Sequence, residues 1–281
     1  MPDVMERVHH SLIQHGRYND RIYLVKLSKR DFPTIIGTLH ELAVHRGYSK
    51  IFAKVPAYAR DEFKHHEFRT EAFVPRFYHG REGVYFMGKY FSRSRQSEKY
   101  DRKVKQTLEI ARSQSCQSIP KKIALHPNFA FRICDGSHAP QIAEVYRRVF
   151  DTYPFPIYDP GYIRKTIHDN VMYFSIWKGD NIIALSSTEM DSEAKNVEMT
   201  DFATLPKHRG NALASYLLKQ MEHEMSKQGH KTAYTIARAL SVGMNVTFAK
   251  MGYEYGGTLK NNTNICGQLE SMNVWYKFLS L

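Results

Sequence analysis

One stretch constrains the fold more than any other part of the chain: Thr204-Leu205-Pro206-Lys207-His208-Arg209-Gly210-Asn211-Ala212-Leu213-Ala214-Ser215-Tyr216-Leu217-Leu218. A strand-like segment ends at Leu205, Pro206 removes the next N–H, and a basic turn with a glycine opens an amphipathic helix. The first N–H groups of a helix have no intrahelical acceptor, and with the helix dipole behind them they form an anion site suited to a pyrophosphate. Small residues at 210 and 212 let phosphates approach the backbone. The stretch therefore predicts a strand, turn, helix unit whose cofactor-binding positions are Thr204, Leu205, Lys207, His208, Arg209, Gly210, Asn211, Ala212 and Leu213. No G-x-G-x-x-G or Walker sequence competes with it.

The flanking periodicities extend this unit in both directions. Upstream, strands are expected at Phe131 to Cys134, Val171 to Trp177, Ile182 to Met190 and Val197 to Leu205, with helices at Pro140 to Phe150 and Pro160 to His168. Downstream come a helix at Asn211 to Gln228, a strand at Thr232 to Ala237, a helix at Val242 to Met251 and two late strands. Antiparallel strands feeding a strand, helix, strand, helix unit give an α+β fold with a partly parallel sheet. The first part of the chain reads as a smaller α/β domain. It has a strand at Arg21 to Leu27, a helix at Phe32 to His45, a strand at Tyr48 to Val55, a short helix through Phe63, and strands at Glu71 to Val74 and Val84 to Phe91. A helix is also expected across Glu98 to Arg112, and Ser, Gln, Pro and Lys cluster near residues 113 to 128, so the domains are drawn at 1–122 and 129–281.

Charge divides along the same line. Residues 1–130 hold 24 basic and 13 acidic side chains, net +11, and residues 131–281 hold 16 and 15, net +1. A basic half can be a nucleic-acid footprint, but Arg93 to Lys122 has only Tyr100 as an aromatic, which is poor for stacking on bases, so the excess reads mainly as solvated surface. The 281 residues are enough to bury a sizeable core. The three cysteines, Cys116, Cys134 and Cys266, show no C-x-x-C spacing, and the fourteen histidines show no ligand set, so no metal is expected. With no apolar run of membrane-spanning length and no h-region at the start, the chain reads as cytoplasmic. A weak internal echo places Gly47-Tyr48-Ser49-Lys50-Ile51-Phe52-Ala53 over Gly229-His230-Lys231-Thr232-Ala233-Tyr234-Thr235, which leaves open whether the first domain is a degenerate duplicate of the second.

The turn at Lys207 to Ala212 resembles motif A of the GNAT acetyltransferase superfamily, Arg/Gln-x-x-Gly-x-Gly/Ala, with Lys207 in place of the commoner Arg or Gln. The second half of that pattern follows one strand later as Asn245-x-x-Phe248-x-x-x-Gly252-Tyr253. Further segments are similar to the β-lysine Nε-acetyltransferase family: Tyr153-Pro-Phe-Pro-Ile157, Glu198-Met-Thr-Asp201, Thr235-Ile-Ala-Arg238-Ala239, Gly243-Met-Asn245, Asn261-Asn-Thr-Asn-Ile265 and Glu270-Ser-Met-Asn-Val-Trp-Tyr-Lys277. This resemblance implies a C-terminal GNAT fold, acetyl-CoA as co-substrate, β-lysine as the amine acceptor, Nε-acetyl-β-lysine as product and a functional link to a lysine 2,3-aminomutase. A second acceptor class, another diamine or a polyamine, stays open.

Chemistry then selects residues. A substrate ammonium with pKa about 10.4 costs roughly 4 to 5 kcal/mol to present as free amine at pH 7, so a base is expected beside the thioester. Glu198 is the favoured base, with Asp201 as its alternate or as an amine-orienting charge. Their odd spacing puts them on opposite faces of a regular strand, and a bulge would bring them together. Glu189 and Asp191 are weaker candidates, since acids at a hairpin edge are usually solvated. Backbone N–H groups around Thr204 and Leu205 would serve the thioester oxygen. Phe248 stands where many GNAT enzymes carry the tyrosine that protonates the leaving thiolate, so the general acid is unassigned, with Tyr253 and Tyr255 as alternatives to direct thiolate departure. Asn245 is either a helix cap or, by the resemblance, a contact to the cofactor arm. Arg238 is either a clamp for the substrate carboxylate or a surface ion pair. Tyr153 and Phe155 line the acceptor wall or form a buried aromatic corner.

Overall fold

In the computed structural model, residues 3–115 and 123–280 are described. The first half runs β1 (Val4–Val8), β2 (Ser11–Gly16), β3 (Arg21–Lys26), α1 (Ile35–Arg46), β4 (Lys50–Pro56), α2 (Arg60–His65), β5 (Arg69–Tyr78) and β6 (Glu82–Tyr90). The short α3 (Arg93–Gln96) and α4 (Asp101–Ser115) lead out of it. The second half runs β7 (Ala130–Cys134), α5 (Ala139–Val149), α6 (Pro160–Asp169), β8 (Val171–Lys178), β9 (Asn181–Asp191), β10 (Asn196–Thr204), α7 (Leu213–Lys227), β11 (Thr232–Arg238), α8 (Val242–Lys250), β12 (Glu254–Ile265) and β13 (Gln268–Phe278). Among the described residues no helix is long and apolar enough to cross a membrane.

All thirteen strands form one sheet, in the order β1-β2-β3-β4-β6-β5-β12-β13-β11-β10-β9-β8-β7. The path β1-β2-β3-β4-β6-β5 repeats, strand for strand, as β8-β9-β10-β11-β13-β12. In each copy a helix carries the chain between two parallel strands, β3 to β4 through α1 and β10 to β11 through α7. The parallel registers correspond as well: Arg21 pairs with Lys50 where Asn196 pairs with Thr232, so the Tyr23 and Phe52 pair occupies the place of Glu198 and Tyr234. Gly47 and Gly229, the two glycines of the sequence echo, both end a helix with left-handed φ, 63° and 83°. The echo is thus a repeat of topology and register.

The two copies meet back to back through a short antiparallel contact, Gly257 on β12 with Ala72 on β5. Gly257 has φ 145°, and a Cβ there would collide with the Glu71 carbonyl oxygen, so only glycine lets the seam close. Helix α4 crosses the boundary drawn from sequence. Its Ala111 is buried in the same core as Phe248 and Trp275, so this helix packs with the second half although it precedes the linker. Of the linker itself, residues 116–122, including Cys116, lie outside the described residues.

On one face of the sheet, α7 and α8 cover the second half and α1 and α2 the first. On the other face, α5 and α6 cover only the strands β7 to β10. Beyond them lies an aromatic layer shared by both halves, in which Tyr234 packs on Phe77 with ring centroids 4.9 Å apart and Tyr23 packs on Phe52 at 4.6 Å. Each such buried ring contributes about 1.5 to 3 kcal/mol of transfer free energy, so this layer ties the halves together. Further contacts join the halves, Lys26 with Glu193 at 2.6 Å and the His79 N–H donating to the Ala194 carbonyl at 2.6 Å.

Two expectations change here. The hairpin β1–β2 is absent from the sequence reading because its turn, His9-His10, carries none of the usual Gly, Asn or Pro signals. The basic excess of the first half is not all solvated surface: Arg21, Lys50 and Arg95 are buried between the halves. Lys50 pairs with Glu71 at 2.8 Å and donates to the Lys260 carbonyl at 2.8 Å, Arg21 donates to the Asn262 carbonyl, and Arg95 donates to the Asn19 carbonyl at 2.8 Å. A buried cation is tolerated only when paired or hydrogen-bonded, and these three clamp the β12–β13 hairpin and α3 to the first half.

Candidate active site

Strands β10 and β11 run side by side only over Asn196 to Glu198 and Thr232 to Tyr234. Beyond that they diverge into a fork, while β10 stays on β9 and β11 on β13. Glu198 is the last paired residue of β10 and so stands in the crotch. The Tyr234 hydroxyl and the Ile236 N–H face its carboxylate and favour its charged form, whereas burial, the largest influence, favours the protonated form; the net effect raises its pKa above the ordinary value.

The ladder of β10 on β9 slips between Thr200 and Ala203, and Asp201, the extra residue, takes φ 54°. This bulge turns Asp201 onto the face that carries Glu198, as the sequence allowed. Ser187 Oγ donates to Asp201 at 2.6 Å, Thr200 Oγ1 donates at 3.3 Å, and the Tyr153 hydroxyl donates to it as well. Asp201 is therefore engaged on both oxygens and pins the 151–159 loop to the sheet. Phe155 packs on the core beneath that loop, and the Cys266 N–H donates to Thr152 Oγ1 at 2.9 Å, so the loop reaches across to the β12–β13 turn.

A residue that sequence reasoning placed second completes the cluster. Glu189 sits directly opposite Glu198 in the antiparallel register, so both side chains leave the same face. Burial, then the Glu198 and Asp201 charges, push its pKa up to about 8. Its side chain still meets water, so the opposed charges are the firmer part of that shift. Two further groups come from the first half. Lys54 on β4 lies with its ammonium 5.7 Å from the Tyr23 ring centroid, near both glutamates. Burial works against its charge, and Tyr23, Glu198 and Glu189 outweigh it, so its pKa lies above the usual value. No motif marks Lys54 or Tyr23, and the sequence echo stops short of both; it is the parallel register that sets Tyr23 in the place of Glu198.

The cofactor turn is built as its composition demands. Residues Pro206–His208 form one tight turn, Gly210 (φ 84°) and Ala212 (φ 53°) take left-handed backbone, and the Tyr216 N–H is the first to bond back into α7, on the Ala212 carbonyl at 3.0 Å. The preceding N–H groups are free to face an anion. Asn211 Nδ2 donates to the His208 carbonyl at 3.0 Å and Arg209 Nε to the Thr204 carbonyl at 3.3 Å, so these two side chains brace the turn. Lys207 is exposed beside it, His208 is half-buried, and Leu213 anchors the helix start in the core.

Three expectations are corrected. The Leu205 N–H donates to the Ile183 carbonyl at 3.0 Å and cannot serve a thioester oxygen. By ladder alternation it is the Thr204 N–H that faces the fork. Asn245 is fully buried, and its amide is spent on protein: Nδ2 donates to the Arg238 and Ser241 carbonyls, and Oδ1 accepts from Asn273 and Trp275, at 2.8 to 2.9 Å. It shapes the fork and does not contact a cofactor through its side chain. Arg238 takes the ion-pair alternative: its Nε and Nη2 donate to Glu270 at 2.9 and 2.8 Å, so that edge of the guanidinium is not offered to a substrate. Of the possible acids, Tyr253 is buried against Glu222 and the Tyr255 hydroxyl is hydrogen-bonded with Thr258 at 2.5 Å.

Comparison with known proteins agrees with this geometry. The acetyltransferase (GNAT) family profile matches residues 140–253. A beta-lysine N(6)-acetyltransferase of Methanococcus maripaludis is 41% identical over 270 residues, 96% of this chain and 97% of the relative. The chain belongs to the beta-lysine N(6)-acetyltransferase family of GNAT enzymes. Its namesake from Methanosarcina mazei is 31% identical over 88% of this chain and 98% of its own, and the N-acetyltransferase YodP of Bacillus subtilis is 31% identical over 96% of each. As a GNAT enzyme the chain is an acetyl-CoA-dependent acyltransferase, and the open β10–β11 fork with the free N–H groups before Tyr216 fits that co-substrate.

Proposed function

We propose that the chain transfers the acetyl group of acetyl-CoA to the terminal (ε) amine of β-lysine, giving Nε-acetyl-β-lysine. The observation that carries the mechanism is the carboxylate of Glu198 in the crotch of the fork, with Glu189 opposite. An ordinary carboxylate is a weak base toward an ammonium; one whose pKa is raised by burial and a facing acid accepts the proton more readily. In this reading Glu198 takes one proton from the ε-ammonium, the amine nitrogen bonds to the acyl carbon, the C–S bond breaks, and the second proton that the nitrogen loses on becoming an amide passes to water. The N–H groups of residues 210–215 hold the pyrophosphate, Lys207 adds charge, and the Thr204 N–H stabilises the oxyanion. With Tyr253 and Tyr255 engaged elsewhere, the thiolate departs directly, which its conjugate pKa near 8.5 permits.

Residues 1–122, apart from α4, and 129–281 then act as two units, the second binding acetyl-CoA and the first lining the acceptor side. We place the reaction in the cytoplasm and its amine supply with a lysine 2,3-aminomutase. Glu198→Gln should lower kcat/KM for β-lysine at pH 7 by about 100- to 10,000-fold while calorimetry shows acetyl-CoA bound as before. Undiminished turnover would eliminate Glu198 as the base.

A further inference from the structure

We infer that Lys54, from the half without the cofactor turn, anchors the carboxylate of the acceptor and so makes the enzyme select a diamino acid over a diamine. This rests on the acyl-transfer reading above. Lys54 is half-buried on the sheet face that carries Glu198 and Glu189, at the rim of the aromatic layer of Tyr23, Phe52, Phe86 and Tyr234. Its cross-strand partner Phe86 has its ring centroid 6.2 Å from that of Tyr234, the register partner of Glu198, so the aromatic layer brings Lys54 toward the acids.

Four other cations near the seam and the fork have partners. Lys50 is paired with Glu71, Lys26 with Glu193, Arg238 with Glu270, and Arg21 is committed to the Asn262 carbonyl. Lys54 forms no carboxylate ion pair among the described residues; its close neighbour is the Tyr23 ring. A cation held near, but unpaired with, a group of acids is an uneven dipole: acids toward the fork, a positive charge toward the first half. A ligand that carries ammonium at one end and carboxylate at the other satisfies both ends. A diamine offers Lys54 no carboxylate, so nothing offsets the repulsion of its second ammonium, which in the diamino acid the neighbouring carboxylate compensates. A half-buried ammonium that gains a carboxylate partner gains a charge-assisted hydrogen bond, stronger than one between neutral groups.

The test is steady-state kinetics of the full chain with β-lysine and with the diamine that lacks its carboxyl group. Lys54→Met should raise KM for β-lysine about 10- to 100-fold with kcat little changed, and should leave the diamine unaffected or improve it, so that the selectivity ratio collapses. Lys54→Arg should restore most of the selectivity. If Lys54 only tuned Glu198, Met would depress kcat for both acceptors alike and shift the pH–rate profile; that result, or an unchanged ratio, overturns the inference. Failure of the wild type to acetylate either amine would instead overturn the acceptor reading. A melting curve for each variant separates misfolding from loss of binding.

Discussion

At Glu198 and Glu189 the antiparallel register decides the chemistry. Two acids directly across a ladder cannot both ionise at their ordinary pKa, and each makes the other a better proton acceptor. The pKa of Glu189 near 8 stands well above its ordinary 4.5, so the folded chain holds that proton more tightly than the unfolded chain. The stability this gives is whole below the unfolded pKa and is lost as pH rises through about 8. Glu189→Gln removes the titration, so the melting temperature of the variant relative to wild type should climb between about pH 5 and pH 9 in scanning fluorimetry. Parallel curves would mean that Glu189 titrates normally. Glu198 was legible in the sequence through its motif and through the need for a base. Glu189 is solvated, as hairpin-edge acids usually are, and its place opposite Glu198 was legible only in the hairpin register. Asn245 and Arg238 sit in family-like segments, yet both are consumed by neighbours, Asn273 and Trp275 for one and Glu270 for the other. A motif preserves a residue for its packing as readily as for its chemistry.

Elements were the most legible level where periodicity and punctuation agreed. Pro206, Gly210 and the apolar spacing of Leu213, Leu217 and Leu218 define the turn and α7 within two residues of the expected start. The turn matters through its backbone conformation. Gly210→Val forces a β-branched residue to φ near 84°, which costs on the order of 1 to 2 kcal/mol. No neighbour obstructs a side chain there, so the effect is on the turn itself. The variant should raise KM for acetyl-CoA about ten-fold while kcat at saturation changes little; an unchanged KM would remove this turn from cofactor binding. The β10 bulge was foreseeable only as a possibility, because nothing in Met199-Thr200-Asp201-Phe202 marks a residue that leaves the ladder. Helix α4 is expected from the sequence but falls on the first domain's side of the boundary because its apolar positions are few, yet Val104, Thr107 and Ala111 are buried and seat it on the second half.

For the whole molecule, one thirteen-stranded sheet joins what the sequence divides into two domains, and their repeated topology matches the duplicate that the sequence left open. The repeat of topology, the Gly257 seam and the buried Arg21, Lys50 and Arg95 make the first half a wall of the same cleft. Its charge excess is spent partly on that assembly, and Lys54 is the share of it that faces the acids. This arrangement depends on contacts between residues far apart in sequence, such as Arg21 with Asn262 and Lys26 with Glu193, which no local pattern encodes. The central claim is tested by incubating the chain with acetyl-CoA and β-lysine and locating the new acetyl group by tandem mass spectrometry. The account predicts a single acetyl on the terminal amine with the inner amine unmodified; acetylation of the inner amine, or no product, would contradict it.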